Sequence, residues 1–66
     1  MSTEEKLRLK EQCCSVWSQL NDNEKEYYYY GAGTIEFVET VATTLNLNID
    51  LLTVYELDEI IDAFDK

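Results

Sequence analysis

The chain has 66 residues, of which 14 are Asp or Glu and 5 are Lys or Arg, so its formal net charge is −9. A chain of this length forms one domain at most, residues 1–66, with little volume to enclose a substrate pocket. A strongly acidic surface repels nucleic acid and anionic membranes, so we predict direct binding to neither. Because 45% of the residues are hydrophobic, the composition is also not that of an acidic disordered tail.

The two cysteines, Cys13 and Cys14, are adjacent, and the chain has no His. Adjacent thiols close no useful loop, and without His they are a poor start for a zinc site. We therefore predict no metal and no cofactor. A chain this short that has neither a disulfide nor a structural metal needs another source of stability, which favours a homodimer. Reduced cysteines, no apolar leader in residues 1–10 and no membrane-spanning apolar run predict a cytoplasmic protein.

Apolar residues at helical spacing predict a first helix over residues 3–20. Ser2 and Glu5 have the spacing of a capping box, in which each side chain bonds to the backbone amide of the other residue. Leu7 and Cys14 lie together on a flank that can meet a second surface. The buried face is predicted to contain Leu9, Cys13, Val16, Trp17 and Leu20.

The stretch EYYYYGAGT places four tyrosines directly before a Gly-Ala-Gly step. Asn23 and Glu26 have the spacing of another capping box, which predicts a short helix over residues 24–30 ending at Gly31. The alternative is a β-hairpin over residues 27–38, because aromatic runs favour strands. In either structure some of the four rings must leave a core this small and become candidates for an interface: Tyr27, Tyr28, Tyr29 and Tyr30.

Two further helices are predicted over residues 34–45 and 53–65. Thr34 is the expected N-cap of the first, whose apolar face contains Ile35, Val38, Val41, Ala42 and Leu45. Thr53 and Glu56 form the capping box of the second, whose apolar face is centred on Leu57 and also contains Val54, Ile60, Ile61 and Phe64. The predicted fold is therefore all-α, a small bundle of about four helices, and the hairpin alternative would make it α+β.

The last predicted helix carries a row of carboxylates on the side opposite Leu57. Asp58, Asp62 and Asp65 follow i, i+4, i+7, a spacing at which like charges destabilise a helix. The row is interpreted as the solvated face of an acidic protein, as an imitation of the phosphate backbone of DNA, or as a cation site. Exposed carboxylates without a nucleophile and base do not predict an enzyme. The candidate residues of this helix are Tyr55, Glu56, Asp58, Glu59, Asp62 and Asp65.

These features together favour a small acidic protein-binding module. The predicted partner is a basic protein, such as a nucleic-acid-binding protein, which the acids steer and the tyrosines contact. The sharper hypothesis is an inhibitor of the phage or mobile-element type that acts as a DNA mimic. The alternative is a structural or regulatory homodimeric adaptor or accessory subunit. In that protein the tyrosines and the flank of Leu7 and Cys14 close a symmetric interface, and the acids only keep the protein soluble.

Overall fold

A computed structural model of the chain describes residues 1–29 and 33–65, and Tyr29 by its backbone only. The described residues form four α-helices, a 3₁₀ turn over Ile49–Leu51 and no strand. The all-α prediction is confirmed, and the hairpin alternative over residues 27–38 is wrong, because helix is found at both ends of that range. The α-helices are α1 (Thr3–Gln19), α2 (Asp22–Tyr29), α3 (Gly33–Thr44) and α4 (Val54–Phe64).

The N-termini of α1 and α4 are set by the capping boxes that the sequence predicts. The Glu5 amide donates to Ser2 Oγ at 3.1 Å, and the Ser2 amide donates to the Glu5 carboxylate at 3.0 Å. The same reciprocal pair joins Thr53 and Glu56, at 3.2 and 3.0 Å. The bond from the Ser2 amide is the main reason that the pKa of Glu5 lies below its usual value. Both helices therefore start from local signals alone.

The N-terminus of α2 lies two residues before the predicted start. The Glu24 amide donates to Asn21 Oδ1 at 2.9 Å, and the Asn21 amide donates to the Glu24 carboxylate at 3.0 Å. The predicted pair, Asn23 and Glu26, has the same spacing but lies inside the helix. Two Asn–Glu pairs of equal spacing compete here, and the earlier one gives α2 a longer run of backbone hydrogen bonds. The predicted end at Gly31 lies outside the described residues.

The start of α3 at Gly33 is fixed by contact with α2. Thr34, the predicted N-cap, is already inside the helix. Gly33 is buried, and a Cβ built on it would meet the backbone of Tyr28, lying 2.6 Å from the Tyr28 Cα and closer still to its carbonyl group. Only glycine allows this approach of the two backbones. Because Gly33 has no side chain, the backbones of α2 and α3 can make this close contact.

The buried face of α3 is rotated from the predicted one. Phe37 is 2% exposed and Ile35 is 44% exposed, so the prediction that Ile35 is buried is wrong. The Phe37 ring lies 5.1 Å from the rings of both Trp17 and Phe64 and 5.2 Å from that of Tyr28, measured between centroids. Aromatic rings at this distance attract each other beyond the area that they bury. This aromatic cluster therefore sets the rotation of α3.

The core lies where α1, α3 and α4 meet. α1 packs against both α3 and α4, while α2 packs against α3. No polar side chain is buried within the described residues. None of the described helices combines the length and the apolar composition that a membrane crossing requires. The buried apolar residues are Leu9, Cys13, Trp17, Phe37, Val38, Val41, Ala42, Ile60 and Phe64.

The buried face of α4 is also rotated from the predicted one. Ile60 and Phe64 are buried, whereas Leu57, the predicted centre, is only partly buried. Val54 is 72% exposed, so its predicted burial is wrong. The core is deepest around the C-terminal half of the helix, because Phe64 there joins the aromatic cluster. As a result, Glu56 turns towards α1 and away from the predicted acidic face.

Candidate functional site

The structure separates the first two tyrosines of the run. Tyr28 is partly buried, and its ring lies 5.2 Å from Phe37 and 6.5 Å from Trp17. Tyr27 is 73% exposed, and its ring meets that of Tyr28 edge-on at 5.3 Å. The prediction that a ring leaves the core is thus confirmed for Tyr27. The Tyr29 side chain and Tyr30, also predicted interface residues, lie outside what the structure describes.

An open depression of about 490 Å³ lies between α2 and α3. A second depression, of about 360 Å³, shares Tyr27 and Tyr28 with it, and a third, of about 130 Å³, shares Glu39 and Thr43. We call the surface formed by these three depressions the α2/α3 furrow. Its central part is lined by Tyr27, Tyr28, Glu36, Glu39, Thr40, Thr43 and Thr44.

The α3 wall of the furrow presents hydrogen-bond acceptors. Thr40 Oγ1 donates to the Glu36 carbonyl at 2.9 Å, and Thr43 Oγ1 donates to the Glu39 carbonyl at 2.9 Å. Each hydroxyl has a single proton, so both keep only lone pairs for a ligand. The carboxylates of Glu36 and Glu39 are exposed beside them. None of these four residues was predicted from the sequence as part of a site, although their helical spacing places them on one face of α3.

The α4 row, which we define as Asp58, Asp62 and Asp65, lies on the surface. Asp58 and Asp62 are exposed, and Asp65 is partly buried as the C-terminal cap of the helix. No ion pair to any of the three is found within residues 1–29 and 33–65. The predicted row of water-facing carboxylates therefore has a structural basis in Asp58 and Asp62, while Asp65 is only partly exposed.

Glu56, a fourth predicted member of the acidic surface, has partners within the chain. Its carboxylate lies 2.6 Å from Lys6 Nζ and also accepts the Thr53 amide hydrogen bond. The hydrogen bond from Lys6, followed by that from Thr53, lowers the pKa of Glu56 to about 2. Glu59 shares a small depression with Lys6 and Lys10. Both glutamates thus face the lysines of α1.

The Lys6–Glu56 pair is expected to give the fold an acid-sensitive increment of stability. Because the pKa of Glu56 is lowered to about 2, the increment is complete above the ordinary value of 4.5 and is lost as the pH falls between them. We expect Lys6→Met to lower the urea midpoint at about pH 6 and to lower it much less at about pH 2.5, where most of the increment has already been lost. Urea unfolding of both proteins at each pH measures this.

Arg8→Met is the control for the acid-sensitive increment. It removes the same charge from an exposed position of α1. Its effect is expected to be smaller at neutral pH, because Arg8 forms no ion pair with the described residues. An equal effect of Lys6→Met at both pH values would show that the pair contributes nothing through Glu56.

The basic residues that the structure describes lie on two of the four helices. Lys6, Arg8 and Lys10 belong to α1 and Lys25 to α2, whereas α3 and α4 contain no Lys or Arg. Within the described residues, Lys6–Glu56 is the only ion pair. The acids of α3 and the α4 row are therefore left without compensating charge.

Three large apolar side chains are exposed around the start of α4. Leu51 is 61% exposed, Val54 72% and Tyr55 86%. Leu51 ends the 3₁₀ turn, and Val54 and Tyr55 are the first two residues of α4. Tyr55 is a predicted contact residue, whereas Val54 was predicted to lie on the buried face of α4. This apolar patch adjoins the α4 row at Asp58, one helical turn from Val54 and Tyr55.

The cysteines are packing residues in this structure. Cys13 is fully buried, and burial raises the pKa of its thiol to about 12, so the thiol stays protonated at neutral pH. Cys14 Sγ donates to the Ala63 carbonyl at 3.6 Å, which joins α1 to α4. The flank that the sequence assigned to a second surface is thus divided, with Cys14 against α4 and Leu7 exposed. No group of three metal-ligating side chains converges within the described residues.

A scan against protein-family models, a search of curated proteins and a search of solved structures each found no match to this chain.

Proposed function

We propose that the protein is a small acidic protein-binding module of the cytoplasm whose partner is a basic protein. The observation that supports this is the separation of charge: the cations of the described chain lie on α1 and α2, and the acids of α3 and the α4 row are unpaired. Like charges on one helix destabilise it, so an arrangement serving stability alone would alternate them with lysine. A basic partner removes this repulsion on binding.

In its sharper form, the proposal is an inhibitor that acts as a DNA mimic, of the kind found in phage and mobile elements. Neighbours in the α4 row are about 5–6 Å apart at their Cβ atoms, so they present a row of one sign, as a nucleic-acid strand does. Tyr55, which is 86% exposed and one turn from Asp58, supplies apolar contact area beside the charges. The row steers the partner, and the tyrosine adds desolvated contact.

The test is capture of partners from a nuclease-treated bacterial lysate on the immobilised protein. We expect basic proteins to be retained, to elute between about 0.1 and 0.5 M salt as screening increases, and to be displaced by duplex DNA. The triple variant Asp58→Asn, Asp62→Asn and Asp65→Asn is expected to retain at least about tenfold less, because three charge contacts are lost.

The matched control for this variant is Glu4→Gln, Glu11→Gln and Glu26→Gln. It changes the net charge equally, at exposed residues outside the α4 row and the α2/α3 furrow. We expect the control to retain the same proteins as the wild type. If both variants lose the captured proteins equally, the binding depends on net charge and not on the α4 row. If duplex DNA does not displace the captured proteins, the DNA-mimic form of the proposal is wrong.

The second candidate function, a homodimeric adaptor or accessory subunit, is favoured by the apolar patch. Leu51, Val54 and Tyr55 would be covered by the same patch of a second copy across a two-fold axis. Light scattering tests the adaptor: a dimer that Tyr55→Asp converts to a monomer supports it, and a monomeric wild type at micromolar concentration excludes it.

A further inference from the structure

We propose that the α2/α3 furrow binds an arginine side chain carried by an extended basic segment of the partner. This inference rests on the proposed function in that the partner is basic. It names a different surface from the α4 row and a particular ligand group, the guanidinium.

The first argument is the hydrogen-bond character of the furrow wall. The hydroxyl protons of Thr40 and Thr43 are held by the α3 carbonyls at 2.9 Å, so these side chains offer a ligand acceptors only, as do the carboxylates of Glu36 and Glu39. A guanidinium has five N–H donors and no acceptor, which makes it the side chain that such a wall complements. A phosphate or carboxylate ligand would find acceptors and negative charge along α3.

The second argument is the position of Tyr27. Its ring is 73% exposed at the edge of the depression, yet it is held edge-on at 5.3 Å by Tyr28, which packs in turn on Phe37 at 5.2 Å. An exposed aromatic ring that already packs against a neighbouring ring loses little further freedom when a ligand stacks on it. The planar guanidinium stacks on such a ring and at the same time donates in its own plane.

The third argument is the charge of the whole furrow. Among the described residues, no Lys or Arg lines any of its three depressions. Each depression has at least one acid in its lining: Glu36 and Glu39 in the first, Glu24 in the second, and Glu39 and Asp50 in the third. This acidic lining suits a segment with several positive charges, one arginine of which enters the 490 Å³ depression.

The experiment is an NMR titration of the ¹⁵N-labelled protein with a short, acetylated and amidated peptide of alternating glycine and arginine. We expect amide shifts confined to residues 24–28 and 36–44. The lysine analogue is expected to bind about two- to fivefold more weakly, because an ammonium stacks less well on the ring. The citrulline analogue, which keeps the shape and loses the charge, is expected to cause no shifts.

Two variants of the furrow give an independent measurement. Glu36→Gln with Glu39→Gln is expected to weaken the arginine peptide about three- to tenfold, as two exposed charge contacts are lost. Tyr27→Leu is expected to bring the affinities of the arginine and lysine peptides to the same value, since it removes the ring. The control is Asp58→Asn with Asp62→Asn, which has the same net charge and leaves the furrow intact.

Three results would overturn the inference: shifts that map to residues 54–65, arginine and lysine peptides bound equally by the wild type, or equal weakening by the furrow pair and its control. Its failure is distinguishable from failure of the proposed function. If only the furrow inference fails, capture of basic proteins from the lysate still depends on the α4 row. If only the proposed function fails, the arginine peptide still binds the furrow, but no basic protein is captured.

Discussion

Replacing Phe37 with alanine is expected to destabilise the fold by about 3–5 kcal/mol, whereas the same truncation of Ile35 is expected to cost less than about 1 kcal/mol. Phe37 is 2% exposed and contacts Trp17, Tyr28 and Phe64, so its removal leaves a cavity at the centre of the aromatic cluster. Ile35 is 44% exposed, and its truncation exposes little new surface. We therefore expect the loss of stability to be several times larger for Phe37→Ala than for Ile35→Ala, although both residues are apolar and belong to α3.

Urea unfolding followed by circular dichroism measures this difference. A domain of this length is stable by roughly 3–10 kcal/mol, so Phe37→Ala removes a large part of its stability. Phe37→Leu, which keeps an apolar side chain, gives a smaller loss and a complete unfolding curve if the alanine variant does not fold. If Ile35→Ala were the more damaging change, α3 would be rotated as its apolar spacing alone predicts.

Replacing Gly33 with alanine is the second change expected to have a large effect, a loss of about 1–3 kcal/mol from overpacking. Two effects of opposite sign compete at this position. Alanine favours a helix over glycine by about 1 kcal/mol, which would stabilise α3. The added Cβ, however, would lie 2.6 Å from the Tyr28 Cα and nearer to its carbonyl group, and backbone atoms cannot move aside as a side chain can. We therefore expect the contact to outweigh the propensity.

The thermal midpoint of Gly33→Ala, measured beside that of Thr34→Ala, checks the sign. Thr34 lies in the same first turn of α3 and is only partly buried, so its truncation reports on the turn without the contact to α2. We expect it to shift the midpoint by a small fraction of the glycine effect. A rise of the midpoint in Gly33→Ala would mean that α2 and α3 do not approach as closely at this point.

Helix starts can be predicted from the sequence where they depend only on residues close together in the chain. Ser2 with Glu5 and Thr53 with Glu56 mark the first turns of α1 and α4 as predicted, because a capping box is made within four residues. At α2 the same signal occurs twice, and Asn21 with Glu24 is the pair that forms. Local spacing therefore predicts that a helix starts, but it does not select between two equivalent starts.

The rotation of α3 and α4 does not follow from local spacing. In α3, both Ile35 and Phe37 are apolar, and each lies on an acceptable helical face. The choice between them depends on Trp17 and Phe64, which are distant in the chain and meet only in the folded core. In α4, Phe64 likewise moves the buried centre away from Leu57 and places Glu56 beside Lys6.

The candidate site, like the fold, was predictable only where it depends on local sequence. The excess of tyrosines predicts that a ring faces solvent, and Tyr27 does so. That Tyr28 instead packs on Phe37 depends on how α2 lies against α3. The furrow forms only when α2 packs on α3. From the sequence alone, therefore, nothing distinguishes Glu36 and Glu39 from other solvent-exposed acids. The exposed Asp58 and Asp62 of the α4 row needed no tertiary information beyond the burial of the opposite face.

The confinement of the described cations to α1 and α2 also sets how the fold responds to salt. Bringing the acids of α3 and α4 together in the compact state costs self-repulsion, and dissolved ions reduce that cost. The same ions are expected to weaken attraction to the basic partner proposed above. Raising the ionic strength is therefore expected to stabilise the free protein against unfolding and, at the same time, to weaken the proposed complex.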